Sequence, residues 1–325
     1  MATVGDLTAS ELRAHLAGEG VGLDLGAARI RVRSNAPGYA DCLHALYGAF
    51  ELESTAGVFD VTAELRRGTG ILQWFRPQVR FLVDRTEPFE AFPADTHVPL
   101  IEWGINHCVA ERLNQHLLLH AASVERHGVG ILLPGTPGSG KSTLAAALST
   151  RGFRLLSDEF GVVRLTDARV LALLKPVALK NRSIEVIRAW APDAIIGPEF
   201  PKTRKGRVAH LAPDIASVSR RRQSVVPRLV IFPKFHADRT LSLTPMSKAK
   251  AFAKIATNSF NYSMLGPAGF DAVAMMMQTV ECHELAYGDL DRALDALVEL
   301  TDKAGGSFTE DAREPVDERR ERVAS

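Results

Sequence analysis

The chain has 325 residues, 46% of them hydrophobic and 24% charged, and 39 Lys+Arg nearly cancel 38 Asp+Glu to leave a net charge of +1. That apolar content excludes a disordered chain, and three scattered cysteines exclude a disulfide scaffold. Near-neutrality removes any global basic field for nucleic acid or membrane.

In chain order, residues 8–16 carry the spacing of an amphipathic helix, 28–33 alternate as a strand, and 37–50 read as a helix. Residues 59–65 and 79–83 read as further strands. Together they make residues 1–95 a small α+β unit without recognisable chemistry. Pro88, Pro93 and Pro99 punctuate its end. Residues 101–117 place apolar side chains on one helical face. Two strand-like runs follow, 117–125 and 129–134, joined by the turn signal Arg126-His127-Gly128. A helix at 141–150 and short strands at 154–157, 161–165 and 170–174 come next. A strand at 227–233 and helices near 247–260, 268–282 and 289–300 complete a second domain, residues 96–302. From Lys303 the composition is that of a polar, disordered tail, 303–325. The opening residues lack the basic start and apolar core of a secretory signal. No stretch approaches the ~20 apolar residues that span a bilayer. With so few cysteines, a reducing cytoplasm is the expected location.

The strongest local signal is the run Gly135, Thr136, Pro137, Gly138, Ser139, Gly140, Lys141 and Ser142, a complete GxxxxGK[ST] pattern with Thr143 next. Average glycine usage makes a chance match roughly a 1 in 100 event for a chain of this size. Glycines let backbone N–H groups turn inward around an anion, and the helix that follows adds its partial positive charge. Lys141 suits the β- and γ-phosphates, and the Ser142 hydroxyl suits Mg²⁺. The run therefore defines a nucleotide-binding protein. Asp158 and Glu159 end the strand at 154–157, where one acid can hold Mg²⁺ and its neighbour can accept a hydroxyl proton. His120 lies in a strand that would run beside the one entering the loop.

His120, the loop, Arg151-Gly152 and Asp158-Glu159 together resemble the HPr kinase/phosphorylase family, and specifically its smaller group of HPr kinase-related proteins, where some related kinases modify ribosomally made peptides. The resemblance covers residues 117–165, with fainter likeness at Val208-Ala-His-Leu211 and Asn261-Tyr262. It implies an α/β fold: a P-loop-containing, HPr kinase and phosphoenolpyruvate-carboxykinase-like kinase domain with a mixed sheet, preceded by the small N-terminal α+β unit. It also implies a homo-oligomeric kinase that uses ATP and Mg²⁺ to phosphorylate a Ser or Thr hydroxyl of a small protein or peptide. Carried over residue by residue, Asp158 is the general base, Lys141 neutralises phosphate charge, and His120 orients Asp158 or tunes its pKa. Glu159 joins Ser142 at the metal, where the family has a second Asp. The family's RGxG segment corresponds here to Leu179-Lys180-Asn181-Arg182, which keeps a cation and loses the glycines. That departure implies a kinase without the reverse, phosphorylase reaction. It also makes Lys180 a candidate for charge stabilisation or substrate contact.

The basic run at 202–207 reads as a solvated loop or as a mobile lid, in which Lys205 and Arg207 would meet nucleotide or an acidic substrate segment. It lacks the aromatic interleaving of a single-strand nucleic-acid site. Two further readings stand beside the protein or peptide kinase. One is a kinase for a small metabolite; the other is a nucleotide-gated peptide-binding module that transfers nothing. Asp158 separates the classes, because a binding module does not need it.

Overall fold

The structure, a computed structural model, describes residues 2–311. Its first helix, α1 (Ala9–Ala17), starts at a capping box: the Glu11 amide donates to the Thr8 hydroxyl and the Thr8 amide donates back to the Glu11 carboxylate. There follow β1 (Val21–Asp24), β2 (Arg29–Ser34), α2 (Tyr39–Tyr47), β3 (Val61–Arg67), β4 (Gln78–Val83) and β5 (Phe92–Pro93). The strands form one sheet in the order β1-β2-β3-β4-β5, with β2 and β3 parallel and the other pairs antiparallel. In β2, Ile30 and Val32 are buried while Arg29, Arg31 and Arg33 face outward. One face of this sheet therefore packs on the core and the other is solvated. Helix α3 (His97–Arg112) lies against β3 and β4, and Gly104 allows the approach, since a Cβ there would come within 2.4 Å of the Phe81 ring.

The second sheet has eight strands: β6 (His116–Arg126), β7 (Val129–Pro134), β8 (Arg154–Ser157), β9 (Phe160–Arg164), β10 (Val170–Leu171) and, later in the chain, three more. Helix α4 (Lys141–Ser149) joins β7 to β8. Between β10 and the later strands lies a third sheet, formed by β11 (Val177–Lys180), β12 (Phe200–Thr203) and β13 (Gly206–Leu211), with α5 (Arg182–Trp190) after β11 and α6 (Ile215–Ser219) after β13. The chain then returns as β14 (Val226–Phe235), β15 (Ser242–Pro245), α7 (Lys248–Thr257), α8 (Tyr262–Leu265), α9 (Pro267–Thr279), β16 (Glu281–Tyr287) and α10 (Leu290–Asp311). The large sheet runs β10-β9-β6-β7-β14-β16-β15, with β8 also on β6. It is mixed: β7, β14 and β16 are mutually parallel, and β6 is antiparallel to β7, β8 and β9. The whole is a mixed α/β fold. No helix among the described residues is long and apolar enough to cross a membrane.

Three departures from the sequence-based expectation bear on the fold most. The helix expected at 101–117 spans His97–Arg112, because Leu117 is taken by β6 and pairs with Val163. The helix expected to reach 282 stops at Thr279, and Glu281–Tyr287 becomes a strand parallel to β14. Burial of Cys282, Leu285 and Tyr287 along that strand outweighs the helical propensity of the preceding methionines. Finally, α10 continues to Asp311, so residues 303–311 are helical where a disordered tail was expected; the rest of that tail lies outside the described residues.

The first sheet is not a separate bead. The Ala27 amide donates to the Ala172 carbonyl and the Leu174 amide to the Leu25 carbonyl, at 2.7 and 2.8 Å. Arg221 and Arg222 reach back to Glu51 and to Asp24 and Glu53.

Candidate active site

Strand β6 organises the site. Its C-terminal half pairs with β8, Ser123 opposite Ser157, and its N-terminal half with β9, His120 opposite Phe160. Strands β8 and β9 thus run end to end along one edge of β6, and Asp158 and Glu159 are the break between them. Along the other edge β6 pairs with β7 as far as Ala121 opposite Pro134, so the chain enters the glycine-rich loop beside His120. One row of the sheet therefore brings together His120, the loop and both carboxylates.

In the loop, Gly138 and Gly140 have φ of +86° and +93°, a region L side chains avoid. A Cβ on Gly140 would also lie 2.7 Å from the Tyr287 hydroxyl. Thr136, Pro137 and Gly138 are exposed, while Gly135, Ser139, Gly140, Ser142 and Thr143 are half-buried. The Ser139 hydroxyl is buried without a hydrogen-bond partner among the described residues, which leaves a donor for a ligand oxygen. Lys141 opens α4 and is buried; its Nζ donates to the Gly135 and Thr136 carbonyls at 2.5 and 3.3 Å. Burial lowers its pKa, opposed by the Glu159 charge.

His120 Nε2 lies 3.4 Å from Lys141 Nζ and 3.4 Å from Glu159 Oε1. A neutral ring nitrogen can accept from the lysine or donate to the carboxylate, one at a time. Asn258 brackets the His120 backbone, accepting from its amide and donating to its carbonyl, both at 2.9 Å. Phe260, 43% exposed, stands against the rings of Phe160 and His120, with centroids 4.8 and 5.5 Å away.

The two carboxylates behave differently. Asp158 is buried, and burial together with the Glu159 charge pushes its carboxyl up to about 6. Its Oδ2 accepts from the Ala178 amide at 3.1 Å, and its Oδ1 accepts no hydrogen bond from a described residue. For Glu159, burial opposes ionisation, but His120, Lys180 and Lys141 outweigh it and hold the carboxyl at about 2. The pair therefore divides into one ionised group and one that titrates close to neutrality.

Asp158 rests on β11 through Ala178, and just upstream β11 is anchored by buried Lys175. Lys175 Nζ donates to Glu102 on α3 at 2.7 Å, and the Tyr47 hydroxyl donates to the same carboxylate at 2.8 Å. His210, opposite Ala178 on β13, is also buried, and burial pushes its pKa down to about 4. Sequence reasoning missed Lys175, Glu102 and Tyr47, and gave His210 only as part of the segment of fainter family likeness. The available signal was a lysine inside the apolar run 170–179 and a glutamate within an apolar helix.

Lys180 ends β11 and acts electrostatically on Asp158, Glu159 and Lys141. Asn181 after it holds φ +50°, and its side-chain oxygen accepts from the Arg207 amide at 3.1 Å. Lys205 and Arg207 flank this segment through their backbones, the Asn181 side chain donating to the Lys205 carbonyl at 3.3 Å and the Asn181 amide to the Arg207 carbonyl at 2.9 Å. The run 202–207 is the β12–β13 hairpin; Arg207 pairs with Glu185 and Glu199, and neither residue touches the carboxylates or Lys141 among the described contacts.

No family model matches this chain. Over part of its length it is similar to HPr kinase/phosphorylase proteins. That of Limosilactobacillus reuteri (strain DSM 20016) is 39% identical over 71 residues, 22% of this chain and 22% of that protein. That of Stenotrophomonas maltophilia (strain K279a) is 38% identical over 55 residues, 17% of each chain. That of Thermoanaerobacter sp. (strain X514) is 33% identical over 96 residues, 30% of this chain and 29% of the relative. The matches thus span less than a third of the curated relatives' length. They support a resemblance at the level of the family and point to a kinase or phosphotransferase.

Proposed function

We propose that the protein is an ATP- and Mg²⁺-dependent kinase that moves the γ-phosphate to a hydroxyl, a Ser or Thr, of a small protein or peptide. The observation that carries this reading is the single row of the sheet that holds a buried loop lysine, a carboxyl titrating near neutrality and a second one held ionised. The loop suits a nucleotide. Gly138 and Gly140 take positive φ, the buried Ser139 hydroxyl has no hydrogen-bond partner among the described residues, and Lys141 Nζ, now on two loop carbonyls, would exchange them for phosphate oxygens.

Among the described residues no group of three or more His, Cys, Asp or Glu side chains is arranged to hold a metal ion. That agrees with Mg²⁺ carried on nucleotide phosphates, which needs only one or two carboxylates from the protein. Glu159 and the Ser142 hydroxyl would hold it, and when bound it would supply positive charge against the phosphate oxygens. Asp158 would draw the proton from the acceptor hydroxyl at Oδ1. A pKa near 6 leaves it ionised at neutral pH and still proton-accepting. The Ala178 amide holds its other oxygen in place.

The test is transfer of labelled γ-phosphate in the presence of Mg²⁺, with candidate peptides and cell extract, for wild type, Lys141→Ala and Asp158→Asn. Label on a peptide or protein hydroxyl, lost in both variants, supports the proposal. Label on a small molecule would move the acceptor to the metabolite class. Tight ATP binding without transfer, identical in Asp158→Asn, would leave a nucleotide-gated binding module.

A further inference from the structure

The outer face of the first sheet carries an arginine row on β2, and most of that face is neutralised. Arg29 pairs with Glu53 at 3.1 Å, Arg66 with Glu64 at 2.6 Å and Arg80 with Glu87 at 3.4 Å. Arg31 and Arg33 differ. Neither forms an ion pair with a described residue, and the Nε of each is buried without a hydrogen-bond partner. Arg31 reaches only the Thr55 carbonyl and the Thr62 hydroxyl, at 3.4 and 3.5 Å; the Arg33 side chain makes no hydrogen bond among the described residues. Their stems are nevertheless held. Both Cγ atoms pack against Gly20 (φ +97°), where a Cβ would come within 2.9 Å of Arg33 and 3.1 Å of Arg31, and the Arg31 guanidinium lies 5.5 Å from the Phe59 ring centroid. Two forked donors are thus preorganised and left without an anion.

Both arginines line two cavities, one of about 440 Å³ with Glu19 and Thr55, the other of about 290 Å³ with Thr62, Glu64, Leu82 and Asp84. Two of the three acids there are paired with arginines, and Glu19, bonded only to a hydroxyl, sets one negative charge against two guanidinium groups. Glu19 accepts from the Thr55 hydroxyl at 2.8 Å, Glu64 holds Arg66, and Asp84 holds Arg112 at 2.5 Å. The unpaired charge of the concavity is therefore positive.

We propose that this face docks an extended acidic peptide segment, with its carboxylates on Arg31 and Arg33. The guanidinium fork matches a carboxylate with two parallel hydrogen bonds. Two cavities sharing one arginine pair fit a chain that passes across both, and Leu82 and the two threonines offer apolar and hydrogen-bonding contacts along it. That the segment belongs to the phosphorylated substrate rests on the kinase reading; the docking itself does not.

The test is fluorescence anisotropy of fluorescein-labelled hexaglutamate with the full chain and no nucleotide, with hexaglutamine as the neutral counterpart and inorganic phosphate as competitor. Hexaglutamate is expected to bind wild type and Lys141→Ala alike and to bind Arg31→Gln/Arg33→Gln at least tenfold more weakly, while hexaglutamine binds none of them. The melting temperature of the double variant checks its fold, and Arg31→Lys/Arg33→Lys, which keeps charge but loses both forks, should bind with intermediate affinity. Equal binding by the glutamine variant overturns the proposal, as does loss of binding in Lys141→Ala, which would place the anion on the glycine-rich loop. Displacement by phosphate as effective as by unlabelled hexaglutamate would mean a single-anion site and also overturns it. If binding follows the arginines but labelled phosphate is never transferred, the kinase reading fails and the docking site stands.

Discussion

The two ends of strand β6 each carry a cluster of buried charge, and they are built to opposite purposes. At the C-terminal end, Glu125 accepts from Arg154 at 2.6 Å and from the Gly128 amide at 2.8 Å, and Arg154 also donates to the Arg220 and Gln223 carbonyls, both at 2.8 Å. Burial would raise the Glu125 pKa, but the Gly128 amide, Arg154 and Arg220 together hold it below its ordinary value. Every strong group there has its partner. At the N-terminal end, His120 stands between Lys141 and Glu159, and Asp158 is buried with one oxygen unbonded and its pKa raised. The same strand thus separates a satisfied structural pair from an unbalanced cluster. Such imbalance supports the catalytic role proposed for this cluster.

The sharpest way to break the comparison is to remove one charge from each end. Lys141→Ala and Asp158→Asn are expected to lower phosphate transfer by about 10³-fold or more, since both positioned charge and proton acceptance are lost. Arg154→Leu leaves buried Glu125 with only the more distant Arg220, at 3.5 Å, and the Gly128 amide, and is expected to cost about 3 kcal/mol in urea unfolding while the folded fraction keeps its specific rate. Equal effects on rate and stability at both ends would erase the distinction.

Stability against pH sharpens it further. The carboxyl of Asp158 is raised in the folded chain from 3.8 to about 6, so the folded state binds its proton more tightly than the unfolded state does. The contribution of Asp158 to stability therefore falls as pH rises from about 4 to about 6 and stays a penalty above that range, while His210, lowered to about 4, titrates in the opposite sense, so the difference from the Asn variant isolates Asp158. Asp158→Asn, which does not titrate, should be more stable than wild type by on the order of 2 kcal/mol at pH 7.5, with the difference gone near pH 4. Unfolding curves at the two pH values measure it, and a destabilised Asn variant at pH 7.5 would contradict the raised carboxyl. The smallest effect is kinetic. The acceptor-limited transfer rate should fall tenfold per pH unit below about 6, as Asp158 becomes protonated.

Much of the region around β6 was legible in the sequence. The hairpin at His127 and Gly128, both at positive φ, follows from the local turn chemistry of Arg126-His127-Gly128. The loop and the paired carboxylates also announce themselves within short stretches. The segment from 165 to 215 was read poorly, because β11 and β12 are four residues each and gain their definition from pairing with β13. Likewise β16 exists because β14 offers it a parallel edge. The run holding Lys205 and Arg207 reads by composition as a solvated loop or a lid, and Arg207 pairs with Glu185 and Glu199, partners that spacing does not reveal.

By itself the sequence determined a glycine-rich turn with a lysine at a helix start and two carboxylates breaking a strand, because glycine torsions, helix starts and strand alternation are short-range properties. Only the tertiary structure decided that His120 touches Lys141 and Glu159, that Lys175 and Glu102 anchor the strand beneath Asp158, and which of the two carboxyls titrates near pH 6. Those outcomes depend on burial and on charges brought together from distant parts of the chain.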